Sequence, residues 1–221
     1  MLAAGELDAA LVSSVEFLRN PTYRIVDGIS ISSDGPVYSV VLAYSGDAIP
    51  THIDLDPASE TSVALLRYLM LSRGEEMAGD RMGGDVLAPF PDASGRLLIG
   101  DQAIRFRNRF GSRFRYWDLG EEWKSLTGLP FVYALWLVRA EVTGAAGLAQ
   151  RLRHLRDGNL ADLEVIISGQ AEFAPEFCHR YYTEYLRFSL DDRDKDGLRR
   201  FAAACAGMGL IASPNISFDL I

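Results

Sequence analysis

The stretch "LDPASETSVALLRYLM", residues 55–70, joins the end of a strand-like segment to the start of an apolar helix. Four polar residues crowd the entry to this helix: Asp56, Ser59, Thr61 and Ser62. Apolar residues then recur at helical spacing through residues 63–70. Because a helix needs only one good N-cap, the pattern predicts a strand–helix unit whose entry holds more polar groups than capping requires.

Strand-like and helix-like segments alternate on both sides of this unit. Strand patterns occupy residues 9–12, 23–33, 35–45 and 47–55, and strands that run into polar turns occupy residues 96–106 and 114–123. Helical spacing covers residues 145–157, 159–168, 175–189 and 195–206, and residues 74–84 are predicted to form a loop. Strands that alternate with helices, followed by a helical tail, predict an α/β architecture.

Small polar residues stand at the ends of several predicted strands. These ends are Ser13–Ser14, residues 32–35, Gly100–Asp101 and residues 118–120. In open α/β sheets, ligands bind outside the carboxyl ends of the strands. The polar strand ends therefore predict a ligand cleft, although Asp101 after a strand also suits an ordinary turn.

The helix entry at Thr61 and Ser62 has the character of an anion site. The first backbone N–H groups of a helix lack internal partners, and the helix dipole adds partial positive charge there. Two hydroxyls beside these amides suit a carboxylate or a phosphate. The alternative is ordinary capping with solvated hydroxyls.

Gly35 and Pro36 interrupt a strand pattern beside several serine hydroxyls. Glycine permits backbone conformations that other residues avoid, and proline fixes φ and removes a donor. The pair is consistent either with a ligand-facing turn or with a simple turn or bulge between two strands.

Composition excludes several classes of partner. The chain has 221 residues and a formal net charge of −8, which argues against a nucleic-acid backbone as the main partner. No run approaches the roughly 18 apolar residues of a membrane span. Two distant cysteines, Cys178 and Cys205, indicate reduced thiols in a cytoplasmic protein rather than a disulfide framework.

Familiar cofactor and metal motifs are missing from the sequence. It contains no P-loop, dinucleotide fingerprint, HExxH or GxSxG string, and the segment "DDRDKDG" at 191–197 lacks the closing glutamate of a calcium loop. The three histidines, His52, His154 and His179, have no second ligand at metal spacing. We therefore expect no metal and no cofactor.

Five separated strings resemble the chorismate dehydratases, which open the futalosine route to menaquinone. In chain order they are "GELDAALVSSVEFL", "SSDGPVYSVVL", "SETSVALL", "LLIGDQAIR" and "DLGEEWKSLTGLPFVYALW". The resemblance implies an α/β fold of the type II periplasmic-binding-protein kind, with a ligand cleft between two lobes. Residues 1–45 and 128–221 would form one lobe, and residues 46–127 the other.

The resemblance also implies a reaction and a set of site residues. The family removes water from chorismate to give 3-[(1-carboxyvinyl)oxy]benzoate. Ser39, after the Gly-Pro-Val unit, matches a serine associated with the reaction, and the substrate's own enolpyruvyl carboxylate would take the proton. The implied substrate-binding residues are Ser14, Gly35, Thr61, Ser62 and Asp101.

Two departures from the family pattern bear on these expectations. Family members begin with a strand and a "YLN"-like string whose Asn lines the cleft, so we expect the first lobe to lack its N-terminal strand. A sister lyase of the pathway carries a histidine where this chain has Gly100, which favours the dehydratase. The alternatives are a non-catalytic solute-binding protein for a small carboxylate and an inactive truncated dehydratase.

The sequence leaves the oligomeric state open between monomer and homodimer. Tyr181, Tyr182 and Tyr185 lie together in a helical pattern. They are interpreted as core packing, with a dimer face as the alternative.

Overall fold

The computed structural model describes residues 1–56, 59–77, 80–82, 88, 90 and 94–221. The strands are β1 Ala9–Ser13, β2 Arg24–Ser33, β3 Val40–Tyr44, β4 His52–Leu55, β5 Asp80–Met82, β6 Ser94–Ile99, β7 Arg115–Asp118 and β8 Phe131–Val138. The α-helices are α1 Ser14–Arg19, α2 Glu60–Ser72, α3 Asp101–Phe110, α4 Leu119–Thr127, α5 Ala145–Ala161, α6 Leu163–Ser168, α7 Pro175–Arg180 and α8 Asp192–Gly207. This alternation confirms the predicted α/β class.

The chain divides into two compact units. The first unit comprises Met1–Ser33 and Leu129–Ile221, and the second comprises Asp34–Gly128. Residues 34–45, expected in the first lobe, thus lie in the second unit. The physical reason is that β3 forms ladders with β6 and β7, both of which belong to the second unit.

The first unit is built on a three-stranded antiparallel sheet in the order β1-β8-β2. The central strand β8 is apolar and almost wholly buried, as expected for a strand covered on both faces. Helix α8 packs very closely on the start of β8. A Cβ at Gly197 would stand 2.1 Å from the carbonyl oxygen of Pro130, so only glycine allows this approach.

The second unit is built on a five-stranded mixed sheet in the order β5-β4-β6-β3-β7. Helix α3 covers one face through an aromatic cluster in which Phe106 is fully buried against Phe114 and Phe90. This packing corrects one prediction. Residues after Gly100 were expected to form a polar turn but form α3, because Ala103, Ile104 and Phe106 give the charged segment one apolar face.

Two further segments differ from the predictions. The predicted helix at 175–189 ends earlier: α7 continues as a π-helical turn through Tyr185, and Arg187 instead exchanges backbone hydrogen bonds with Ser32. The predicted loop at 74–84 contains β5, and its residues 78–79 and 83–84 lie outside the described part. Tyr181, Tyr182 and Tyr185 are half-buried, with the Tyr181 ring stacked 5.7 Å from that of Phe177.

Among the described residues, no helix combines the length and apolar character that crossing a membrane requires.

Candidate active site

Three helices of the second unit begin at one edge of its sheet. Strand β4 leads into α2, β6 into α3 and β7 into α4. Strands β4 and β6 are parallel, and β3 is antiparallel to both β6 and β7, so β4, β6 and β7 share one direction. Their carboxyl ends therefore meet at a single edge, where the N-termini of the three helices collect.

The segment that precedes β3 enters the sheet at this same edge. The register pairs Val40 with Ile99 and Val41 with Asp118, which places residues 35–39 beside the ends of β6 and β7. The backbone N–H of Gly100 donates to the carbonyl oxygen of Ser39 at 2.7 Å. We call this collection, the 35–39 segment with the first turns of α2, α3 and α4, the polar edge.

Helix α2 contributes buried hydroxyls to the polar edge. Ser59 is the N-cap, and its Oγ accepts from the backbone N–H of Ser62 at 3.4 Å. The same Oγ donates to Ser62 Oγ at 2.8 Å. Thr61 and Ser62 are each only 1% exposed. Ser59 caps the helix, so the hydroxyls of Thr61 and Ser62 are polar groups beyond those that capping requires.

Asp118 organises the polar edge, although the sequence placed it only among the polar strand ends, at 118–120, and not among the site residues. Its buried carboxylate accepts from the backbone N–H groups of Val37, Tyr38, Gly120 and Glu121 at distances of 2.7 to 3.2 Å. Two of these donors belong to the 35–39 segment and two to the first turn of α4. The available signal was the string "DLGEE", in which an aspartate directly precedes a helix.

The backbone of the 35–39 segment is strained around Tyr38. Among the described residues, Tyr38 is the one non-glycine residue with positive φ, at 66°. The N–H of Ser39 donates to the carbonyl oxygen of Val37 at 2.7 Å, which closes a γ-turn centred on Tyr38. Gly35 is buried and has φ 135°, a backbone conformation that residues other than glycine avoid, as its position in the sequence had indicated. Such strain persists only where the surroundings over-determine it, as functional sites commonly do.

The structure brings five of the six predicted site residues to the polar edge: Gly35, Ser39, Thr61, Ser62 and Asp101. Asp101 opens α3 there, but its side chain is 65% exposed and lies 3.9 Å from Arg105. Ser14 belongs to the first unit. It is fully buried, and its hydroxyl donates to the carbonyl oxygen of Val132 at 2.8 Å.

The cysteines are poorly suited to nucleophilic chemistry. Burial raises the pKa of Cys205 to about 12 and raises the pKa of Cys178, so both hold their protons at neutral pH. In the described part of the chain, no three His, Cys, Asp or Glu side chains form a group able to hold a metal ion.

Sequence comparison places these features in a family. The family model described as menaquinone biosynthesis matches residues 1–207. A chorismate dehydratase of Thermus thermophilus is 32% identical over 237 residues, covering 97% of this chain and 84% of that protein. The chain belongs to the chorismate dehydratase family. A chorismate dehydratase of Campylobacter jejuni is 26% identical over 207 residues, covering 92% of this chain and 78% of the relative.

Solved structures give the fold of this chorismate dehydratase family member. A protein from Archaeoglobus fulgidus superposes with a TM-score of 0.66 at 15% identity, covering 95% of this chain and 82% of that one. The periplasmic aliphatic sulphonate binding protein of Escherichia coli superposes with a TM-score of 0.52 at 12% identity, covering 99% and 75%. The predicted periplasmic-binding-protein-like fold class is confirmed.

Proposed function

We propose that the protein eliminates water from chorismate to give 3-[(1-carboxyvinyl)oxy]benzoate, acting as a carbon–oxygen lyase in menaquinone biosynthesis. The observation that carries the proposal is the 32% identity to a chorismate dehydratase over 97% of the chain. The polar edge supports it independently, because the N-terminus of α2 with its buried hydroxyls suits an anionic ligand. Chorismate carries two carboxylates.

Binding is assigned to the amides and hydroxyls of the polar edge. One substrate carboxylate lies at the start of α2, where the hydroxyls of Thr61 and Ser62 stand at the positive end of the helix dipole. The formal charge of −8 does not oppose this assignment, because local dipoles and donors control the field at a site. Gly35 allows the backbone of the 35–39 segment to approach the ligand closely.

The chemistry requires little of the protein beyond positioning. A C–H bond breaks at C3 and a C–O bond breaks at C4, so a proton and a hydroxide leave together as water. The ring becomes aromatic with no net oxidation. We assign to Ser39 a hydrogen bond that orients the leaving hydroxyl, and to the substrate's enolpyruvyl carboxylate the role of proton acceptor. Burial of Ser39, which is 3% exposed, helps exclude bulk water.

We place the reaction in the cytoplasm. Cys178 and Cys205 are both free and buried, which fits a compartment that keeps thiols reduced.

Incubation of the purified protein with chorismate tests the proposal directly. We expect a product lighter than chorismate by one water, with the ultraviolet absorption of an aromatic ring, detected by liquid chromatography and mass spectrometry. Spontaneous isomerisation of chorismate leaves its mass unchanged and cannot be mistaken for loss of water. A sample without protein is the control for any spontaneous product. If chorismate raises the melting temperature without any dehydrated product, the protein is a solute-binding protein or an inactive dehydratase, and the proposal is wrong.

Replacing Ser62 with alanine tests the carboxylate site at α2. We expect the KM for chorismate to rise about tenfold with little change in kcat, because a hydrogen bond to a charged group contributes about 1.5–3 kcal/mol. Ser72→Ala provides the control at the other end of the same helix, where the hydroxyl donates to the carbonyl oxygen of Leu69. Equal KM values for wild type and Ser62→Ala would show that the Ser62 hydroxyl does not bind the substrate.

A further inference from the structure

We propose that Arg107 is a positioning residue for Ser39, acting through the ring of Tyr38. Tyr38 is the residue at the centre of the strained γ-turn, directly before Ser39. The consequence for turnover rests on the proposed function, whereas the consequence for the backbone of the 35–39 segment does not.

The guanidinium of Arg107 lies over two aromatic rings. Its central carbon is 4.2 Å from the centroid of the Tyr38 ring and 4.6 Å from that of Tyr116. Both distances are well inside the range of about 6 Å within which a cation is attracted to a ring face. Burial raises the pKa of Tyr116, so its ring stays a neutral phenol beside the cation.

These contacts connect a strained turn to rigid parts of the second unit. Arg107 lies on α3, whose neighbouring side chain Phe106 is fully buried in the core, and Tyr116 lies on β7, paired with Ala43 of β3. Asp118 holds the N–H of Tyr38 at 2.7 Å, while Arg107 contacts the ring of the same residue. Tyr38 is thus fixed at both its backbone and its side chain, which is what a positive φ in a bulky residue requires.

The hydrogen bonding of Arg107 supports a stacking role. Its Nε is buried and has no hydrogen-bond partner. Buried donors are nearly always paired, so an orphaned one indicates a side chain held in place for another reason. Here that reason is the position of the guanidinium over the two rings.

The test combines amide hydrogen exchange with steady-state kinetics on Arg107→Met, which keeps side-chain length but removes the charge. We expect exchange at the amides of Tyr38 and Ser39 to accelerate about tenfold, with the amides of β6 unchanged. We expect kcat for chorismate to fall about tenfold with KM within about twofold of wild type, because misplacing a reactive group affects the chemical step more than binding.

Matched variants separate positioning from general damage. Arg109→Met changes an exposed arginine of the same helix and is expected to leave exchange and kinetics unchanged. Tyr38→Phe keeps the ring under the guanidinium and is expected to leave amide exchange at residue 38 and Ser39 unchanged. Tyr38→Leu removes the ring without altering α3. It is expected to reproduce the exchange and kcat changes of Arg107→Met, and it replaces that variant in the test if Arg107→Met does not fold.

Unchanged exchange at Tyr38 and Ser39 in folded Arg107→Met, or in Tyr38→Leu, would overturn the inference. Failure of the proposed function has a different signature, because the wild type itself would then give no dehydrated product. The exchange measurement needs no turnover, so it decides the inference in either case.

Discussion

Ser39→Ala is expected to lower kcat for chorismate by about 10²-fold or more, which is the usual loss when one donor to a developing negative charge is removed. Ser39 is 3% exposed, closes the γ-turn with its N–H, and accepts a hydrogen bond from the Gly100 N–H on its carbonyl oxygen. The substitution keeps the backbone and the Cβ and removes only the hydroxyl. The departing hydroxide would then leave without the hydrogen bond that we assign to this side chain.

Binding and stability distinguish this outcome from simple damage. The carboxylate site at α2 is untouched, so chorismate should raise the melting temperature of Ser39→Ala by nearly as much as that of wild type. Ser45→Ala, just beyond the other end of β3, provides the control and should retain wild-type turnover. If Ser39→Ala kept more than half of the wild-type kcat, the assignment of Ser39 to the reaction would be wrong.

Sequence patterns predicted the parts of this fold that depend on neighbouring residues. Strand β2 follows from local alternation, β1 and β4 from short apolar segments, and α2 from the capping serine and the apolar spacing behind it. Gly35, predicted from a polar strand end, and Thr61 and Ser62, predicted from a helix entry, lie at one edge of the second sheet. Each of these inferences needs information from only a few consecutive residues.

Features that depend on distant residues were not predictable in the same way. Asp118 accepts from Val37, 81 positions earlier, and no local pattern specifies that pairing. The placement of β3 in the second unit likewise depends on its ladders with β6 and β7.

Residue type also does not reveal where a side chain points. Ser14 follows a strand, as a ligand-binding serine would, yet its hydroxyl donates to Val132, 118 positions away. Asp101 follows a strand, as a ligand-binding aspartate would, yet its side chain is exposed and lies 3.9 Å from Arg105. In α3 the charges of Asp101, Arg105 and Arg107 obscured a helix that has only three buried residues.

Asp118→Ala is expected to destabilise the second unit by about 3–5 kcal/mol, because four backbone N–H groups lose their acceptor at once. Loss of an N-cap costs about 1 kcal/mol, and each buried donor left without a partner costs about 1–3 kcal/mol. Gly120 and Glu121 can turn to solvent as the start of α4 frays, whereas Val37 is buried and cannot. Urea denaturation measures the loss, and turnover is expected to fall by more than about 10²-fold because the γ-turn loses its anchor.

Two variants make this expectation specific. Asp118→Asn keeps one oxygen acceptor in place and should lose about half as much stability as Asp118→Ala. Asp47→Ala removes a carboxylate of the same unit that is 97% exposed and pairs with Arg115, and it should change stability by less than about 0.5 kcal/mol. If Asp118→Ala lost stability but kept wild-type turnover per folded molecule, Asp118 would cap α4 without positioning Ser39. If turnover instead fell by more than the unfolded fraction explains, that result would show that the carboxylate both caps α4 and positions Ser39. The same two oxygens hold the start of α4 and the γ-turn.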